Sequence, residues 1–376
     1  MPLTALDHER LREALALAHG SIGVSDPNPR VGCVIVDAAG GTLGRGATQR
    51  AGGPHAEVVA LADARAAGHD PRGATVYVTL EPCAHFGRTP PCCDALVAAG
   101  VARVVVAIGD PNPLVGGQGL ARLRAAGVAV DVADPAADDV ACAARELNIG
   151  FFSRMIRGRP WVRMKIAASL DGRTALDDGT SQWITGEAAR ADGHAWRRRA
   201  GAVLTGVGTV LEDDPRLDVR HVPTVMQPLR VVVDSRLQTP PHARLLDAPG
   251  EVLLYAALDE PLRAEPLRKR GARIVTKPGP DRKVDLAAVL DDLAARQINE
   301  VHVEAGHKLN ASLLREGLVD ELVVYLAPKL IGLGREMAAL GPLHRLDEAL
   351  PLEFLGVERI GADLRVIARP PGRGAF

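Results

Sequence analysis

The chain has 376 residues, 47% apolar and 24% charged, which excludes wholesale disorder and leaves room for two or three domains. Forty-five basic and 46 acidic side chains give a net charge of −1, and only 11 aromatics (3 Trp, 3 Tyr, 5 Phe) are present. These numbers disfavour a broad nucleic-acid footprint and a stacking platform for single strands. No apolar run approaches the roughly 20 residues needed to span a bilayer, so no membrane role is expected. All five cysteines, Cys33, Cys83, Cys92, Cys93 and Cys142, lie in the first 142 residues. An odd count with no secretory leader points to a reducing cytoplasm, where clustered thiols serve metals or catalysis rather than disulfides.

In chain order, residues 7–19 read as a helix with Leu11, Ala14, Leu15 and Ala18 at helical spacing and Asp7 as a possible cap. A strand at 31–36, a helix at 54–67, a strand at 74–80, a helix at 91–99 and a strand at 103–108 follow. A helix near 119–126, a short strand near 128–132 and a helical stretch over 133–147 complete the first half. Strands separated by helices imply crossover connections and a sheet covered on both faces. Gly150, Gly158 and Pro160 punctuate 148–160, so a break is expected there, with the boundary near 150–158, dividing domains of 1–150 and 151–376.

Beyond the break the expected elements are strand 161–167, helix 187–199 and strands 202–206, 229–234, 251–256 and 272–276. Helix 285–296, strand 300–304, helix 308–316, strand 321–327 and a hairpin over 353–369 complete the series. The hairpin turns at Gly361-Ala362-Asp363 and closes one edge of a sheet.

Three groups carry chemistry in the first half: Pro54-His55-Ala56-Glu57, Glu81-Pro82-Cys83 and Pro90-Pro91-Cys92. One His and two Cys supply three ligands for tetrahedral zinc and leave a fourth position open, as catalytic zinc sites do. Bound zinc lowers the pKa of water to about 7. Glu57 is then placed to carry the proton from that water to a ring nitrogen and a leaving amine. His-x-Glu followed by Pro-Cys and a second Cys marks zinc-dependent nucleobase deaminases. Both cysteines are expected at helix starts, where a thiolate is stabilised. The competing reading is a buried thiol pair beside a surface histidine. Cys93 is the rival second ligand, but it points about 100° away around the helix. Cys33 and Cys142 read as small buried apolar residues.

The run Thr79-Leu80-Glu81-Pro82-Cys83-Ala84-His85-Phe86-Gly87-Arg88-Thr89-Pro90-Pro91-Cys92 stands between Asn28-Pro29-Arg30-Val31-Gly32 and Asp110-Pro111-Asn112-Pro113. Together these resemble the deaminase half of the bifunctional riboflavin-biosynthesis deaminase–reductase family, whose two cysteines carry the same long insertion. The resemblance implies a cytidine-deaminase-like α/β/α sandwich. It also implies hydrolytic loss of the ring 2-amino group from a 2,5-diamino-6-ribosylamino-pyrimidinone 5′-phosphate. By the same carry-over Asn28, Arg88, Asp110 and Asn112 would meet base, ribose or phosphate, although Asn28 and Asn112 also read as turn residues before proline. One departure is Thr48, which stands where the family usually has a histidine.

In the second half, strand 161–167 runs into polar, glycine-rich backbone. Gly206-Val-Gly208-Thr-Val-Leu211 follows another strand but lacks the third glycine of a Rossmann fingerprint, so a dinucleotide site and a structural turn both stay open. The runs 165–174, Ser181 to Thr185, Asp213 to Leu217, Val233 to Ser235 and Glu304 to Gly306 are similar to the reductase half of the same family. That similarity implies a dihydrofolate-reductase-like α/β domain. NADPH would deliver hydride to the ribose C1′ of the deaminated product. Ala167, Trp183, Thr209, Asp213, Ser235, Gly306, His307 and Lys308 would line the cofactor. Lys165, Ser181, Arg197, Leu217, Arg220 and Glu304 would meet the substrate. Arg197 suits a phosphate because a guanidinium grips it through paired hydrogen bonds. Arg198 and Arg199 read instead as a solvated helix end. His307 and Lys308 replace the small or hydroxyl residues common after this glycine. The family also implies a homo-oligomer, dimer or tetramer, acting on a small phosphorylated pyrimidine. The rival readings are a nucleic-acid base deaminase with an accessory domain, and a deaminase whose reductase half is weak or inactive.

Overall fold

In the first half, strands form where β-branched runs lie between glycine turns. The computed structural model describes residues 3–86 and 90–376 and divides the chain into two units, Met1–Gly158 and Arg159–Ala375. The first unit has strands β1 (Gly32–Val36), β2 (Thr42–Ala47), β3 (Thr75–Val78), β4 (Arg103–Val106) and β5 (Ala129–Val132). Its helices are α1 (Ala5–His19), α2 (Ala56–Ala66), α3 (Cys92–Ala99), α4 (Gln118–Ala125), α5 (Asp139–Leu147) and α6 (Ile149–Arg157). The sheet order is β2-β1-β3-β4-β5. β1 is antiparallel to both β2 and β3, while β3, β4 and β5 run parallel. Crossovers therefore join only part of the sheet, and β1–β2 is a hairpin that the sequence reading missed. The two glycines in TLGRGA hide β2, yet the fold requires them. A Cβ on Gly46 would stand 2.1 Å from the Ala56 carbonyl oxygen, and one on Gly44 2.3 Å from that of Ala60. Close approach of α2 to the sheet is what seats the start of α2, with His55 and Glu57, over the strand ends.

Two further expectations are corrected. Asp7 is not the cap of α1. Thr4 is, and Asp7 is the third helical residue of a capping box, its carboxylate also bonded to Tyr77 and Arg103. The stretch 148–160 is not a break but mostly helix α6, which stops at Gly158 in the left-handed region. Phe152 of α6 joins the core of the first unit, so the division falls at Gly158, the far end of the expected 150–158 interval.

The second unit contains β6 (Trp161–Ser169), β7 (Arg173–Leu176), β8 (Ala202–Gly206), β9 (Leu229–Val233), β10 (Val252–Ala256) and β11 (Arg273–Thr276). It continues with β12 (Glu300–Val303), β13 (Glu321–Ala327), β14 (Gly334–Glu336), β15 (Glu353–Ile360) and β16 (Asp363–Arg369). The helices are α7 (Glu187–Arg199), α8 (Val207–Asp213), α9 (Pro261–Lys269), α10 (Leu286–Ala295) and α11 (His307–Arg315). Nine strands form one sheet in the order β11-β10-β9-β8-β12-β6-β13-β16-β15. The sheet is parallel from β11 to β13, and the β15–β16 hairpin closes one edge antiparallel. Continuous apolar strands such as VLLYA in β10 suit a sheet buried on both faces. β7 and β14 pair outside it as a two-stranded ribbon. That ribbon and the helices α8 and α9 were not foreseen, because each is short and rich in polar residues or proline.

Candidate active sites

His55 is the N-cap of α2 and Glu57 lies in its first turn. Cys83 sits in the loop after β3, and Cys92 is the first residue of α3. The expectation that both cysteines open helices therefore holds for Cys92 alone. The ligand atoms of His55, Cys83 and Cys92 lie within 4.8 Å of one another. His55 Nδ1 stands 3.2 Å from Cys92 Sγ and 3.6 Å from Cys83 Sγ, and the Cys92 backbone N–H donates to Cys83 Sγ at 3.3 Å. Hydrogen bonding from the Cys92 thiol, reinforced by His55, brings Cys83 down to about 4. The same bond and burial push Cys92 up. One borderline nitrogen and two sulfurs at this spacing suit zinc, with Cys83 already disposed to ionise. Glu57 is buried, and burial, with the Cys83 charge next, raises its carboxyl to about 7. A general acid–base works best near that value.

The rival Cys93 is buried but is not part of the cluster, and its thiol faces Asp94 at 3.8 Å. Cys33 is fully buried in β1 as expected. Cys142, expected to be buried, is only half-buried on α5, its thiol 4.0 Å from the Pro135 carbonyl oxygen.

Among the other candidates of this half, Asp110 is partly buried after β4. Desolvation raises its carboxyl, and Cys83 and His85 are among the charges it feels. Asn112 is two residues on, its side-chain oxygen accepting the Leu114 N–H at 3.1 Å. Its turn role is thus realised. Asn28 is half-buried beyond α1, its backbone N–H bonded to the Ser25 carbonyl at 2.8 Å. Arg88 lies outside the described residues. Thr48 is buried and its hydroxyl oxygen accepts the Val31 N–H at 3.2 Å. The hydroxyl is therefore engaged with the edge of the sheet.

In the second unit, fourteen residues singled out from the sequence converge on two adjoining cavities. Lys165, Ala167, Ser181, Trp183, Arg197, Thr209, Asp213, Leu217, Arg220, Glu304, Gly306 and His307 line one of about 420 Å³. Ser235 and Lys308 line the other, of about 1080 Å³, which shares Thr209, Gly306 and His307 with the first. Arg197 and Glu304 form a two-point ion pair, Nη2 to Oε2 at 2.8 Å and Nε to Oε1. Although burial opposes its charge, Arg197 holds Glu304 well below the usual carboxylate range. Lys165 is half-buried, and desolvation lowers its ammonium. Ser181 donates to Asp213 at 3.3 Å. The larger cavity is bordered by Gly206 and Gly208 and by the start of α11. A Cβ on Gly208 would meet nothing within 4 Å, and α11 opens at Gly306 with His307 and Lys308 beside it, a terminus suited to phosphate.

Arg199 corrects the reading of a solvated helix end: its Nε donates to the buried Glu300 at 2.9 Å. Arg198 is half-buried as well. Two residues went unnoticed in the sequence: Arg190, which lines the first cavity, and His194, which lines a third cavity of about 460 Å³ with Arg190, Arg197 and Arg220. Arg190 stacks its guanidinium 4.6 Å from the Trp183 ring centroid. His194 accepts the Arg220 N–H at Nδ1, 3.3 Å away, and burial, with Arg197, Arg220 and His221, drives its imidazolium down to about 3. Arg190, His194 and Arg197 recur at spacings of four and three on α7, a single helix face. That spacing was the available signal.

Comparison with known proteins gives the same division. The profile of the cytidine and deoxycytidylate deaminase zinc-binding region matches residues 5–108, and that of the RibD C-terminal domain matches 160–366. The riboflavin biosynthesis protein RibD of Escherichia coli K12 is 44% identical over 371 residues, covering 95% of this chain and 98% of that one. Its namesake in Aquifex aeolicus is 42% identical, covering 96% and 97%. The solved structure of Acinetobacter baumannii RibD superposes with a TM-score of 0.87 at 40% identity, covering 97% of this chain and 99% of that chain. A Thermotoga maritima structure, named a diaminohydroxyphosphoribosylaminopyrimidine deaminase/5-amino-6-(5-phosphoribosylamino)uracil reductase, superposes at 0.85 with 30% identity and the same coverage.

Proposed function

This chain belongs to the RibD family of riboflavin biosynthesis, joining a zinc-binding deaminase domain to an NADPH-dependent reductase domain, and from that membership we propose the substrates and the residues that serve each step. Residues Met1–Gly158 form the deaminase and Arg159–Ala375 the reductase. The first substrate is a 2,5-diamino-6-ribosylamino-pyrimidinone 5′-phosphate, which loses its 2-amino group as ammonia. The second is the resulting 5-amino-6-(5-phosphoribosylamino)uracil, whose ribosyl chain is reduced to ribityl. The observation that carries the first step is the convergence of His55, Cys83 and Cys92 beside a buried Glu57 held near neutrality.

His55, Cys83 and Cys92 would hold zinc, which supplies the Lewis acid that makes water nucleophilic near neutral pH. Glu57 takes a proton from the attacking water and gives it to the ring nitrogen, then carries the proton of the newly formed hydroxyl to the departing amine. The carbon–oxygen bond forms first, by addition to the C=N bond, and the carbon–nitrogen bond breaks afterwards, as ammonia leaves and the carbonyl forms. Asn28, Arg88, Asp110 and Asn112 orient the pyrimidine and its ribose phosphate. Thr48 has its hydroxyl committed to Val31 and takes no part.

In the reductase, Ala167, Trp183, Thr209, Asp213, Ser235, Gly306, His307 and Lys308 would hold NADPH, which would supply the hydride that adds to C1′ as its bond to the ring oxygen opens and that oxygen takes up a proton. The walls of the cleft exclude bulk water. Lys165, Ser181, Arg197, Leu217, Arg220 and Glu304 hold the substrate. No helix among the described residues is long and apolar enough to cross a membrane, and we assign the enzyme to the cytoplasm. We further infer a homo-oligomer, a dimer or tetramer. Phe354, Leu355 and Val357 of the edge strand β15 are exposed, and such a strand favours pairing with another copy.

Purified zinc-loaded protein given the diaminopyrimidinone phosphate and NADPH should release ammonia and oxidise NADPH. Ammonia release without NADPH oxidation would remove the second step, and no ammonia release would remove the first.

A further inference from the structure

Glu81 is not among the residues assigned to either reaction, yet its buried carboxylate gathers four backbone N–H groups. Oε2 accepts from Asp110 at 3.1 Å and Gly117 at 2.9 Å, and Oε1 accepts from Gly119 at 2.9 Å and Leu120 at 3.3 Å. Gly117 caps α4, and Gly119 and Leu120 lie in its first turn, so three of these are donors that a helix start leaves without partners. Asp110 and Gly117 are the two ends of one loop, and both ends hang from a single carboxylate. The loop between them is closed by its own turns, Asp110 Oδ1 accepting the Asn112 N–H at 2.8 Å and Asn112 Oδ1 accepting that of Leu114.

A second observation ties the same segments. A Cβ on Gly119 would stand 1.9 Å from the Pro82 carbonyl oxygen, so the first turn of α4 lies directly on the Glu81–Pro82 backbone. The Glu81 N–H in turn donates to the Ile108 carbonyl at 3.0 Å, anchoring the segment at the end of β4. Cys83 is two residues further on.

We propose that Glu81 is a positioning residue for deamination, coupling the segment that supplies the ligand Cys83 to the loop that presents Asp110 and Asn112, and so setting affinity for the pyrimidine substrate. The assignment rests on the reading that Asp110 and Asn112 meet that substrate. A carboxylate is required because all four partners are donors. An amide keeps one acceptor oxygen and turns an N–H group toward the others.

The experiment compares Glu81→Gln and Glu81→Ala with wild type for zinc content, deaminase kinetics and amide exchange at Gly117, Gly119 and Leu120. Zinc content should hold at the wild-type level, and the three amides should exchange faster. KM should rise about tenfold in the Gln variant and about a hundredfold in the Ala variant, with kcat within about threefold. Faster exchange at unchanged KM would overturn the proposal, as would zinc loss with a fall in kcat alone. Should the Ala variant fail to fold, the near-isosteric Gln variant decides by the same readouts. Asp110→Asn and Asn112→Ala, measured alongside, separate two failures. If they raise KM and Glu81→Gln does not, the positioning role alone falls. If they leave KM unchanged, the substrate reading of the loop falls and takes the proposal with it.

Discussion

Between His55 and Cys92 the first unit assembles its metal site from three side-chain atoms within 4.8 Å. The second unit draws fourteen candidate residues, spread from Lys165 to Lys308, into two adjoining cavities. The first depends on what a few side chains are made of, since soft sulfur and imidazole nitrogen select zinc and little else substitutes. The second depends on shape and on how strands from distant parts of the chain are ordered. Ala167 lies on β6 and Thr209 on α8, and Arg197 of α7 contributes through Glu304, just past the end of β12. A metal centre is therefore brittle to single changes, whereas a cleft loses function in increments.

Four substitutions test that contrast, and the largest effect is expected first. His55→Ala should abolish zinc binding and reduce ammonia release to background. NADPH oxidation with the deaminated intermediate supplied should be unchanged, and a parallel fall in both rates would show that the sites are not independent. Glu57→Gln should retain zinc and lower deamination by about 10²- to 10⁴-fold, the contribution typical of a placed acid–base group. Metal analysis beside turnover checks it, and a variant above a tenth of the wild-type rate would remove Glu57 from proton transfer.

In the cleft, Glu304→Gln leaves the half-buried Arg197 without its carboxylate. It should destabilise the reductase unit by about 2 kcal/mol, read by thermal unfolding, and it should raise KM for the aminouracil. The smallest effect is expected at His194. Its folded value of about 3 lies below the ordinary 6.5, so the fold favours the neutral ring. Its contribution is present above pH 6.5 and is lost as pH falls through that value toward 3. At pH 5 the cost is about 2 kcal/mol. His194→Asn, which keeps an acceptor for the Arg220 N–H, should flatten the dependence of Tm on pH between 6.5 and 4. An unchanged slope would show that the ring is not held neutral by the fold.

The same contrast explains how much could be read in advance. His55, Glu57, Cys83 and Cys92 were legible because their residue types and short spacing state the chemistry directly, and the deaminase strands and helices fell close to where periodicity put them. The edge strand β2 was not legible, because Gly44 and Gly46 suppress the strand pattern while serving the approach of α2. Helix α6 was hidden by glycines that read as a break, and the ribbon of β7 and β14 by its shortness. The cleft residues came from family resemblance rather than from spacing, and Arg190 and His194 show what resemblance left out.

By itself the sequence determined the zinc-ligand chemistry, the carboxylate two residues past the ligand histidine and the alternation of strand and helix, since all of these are local in residue type and period. Only the tertiary structure decided that Glu57 titrates near neutrality, that Glu81 holds both ends of the Asp110–Gly117 loop and that Arg199 is paired inside rather than solvated. Each depends on burial and on partners tens of residues away. Neither spacing nor propensity encodes such contacts, and desolvation acts on a carboxylate only once the surrounding chain has closed over it.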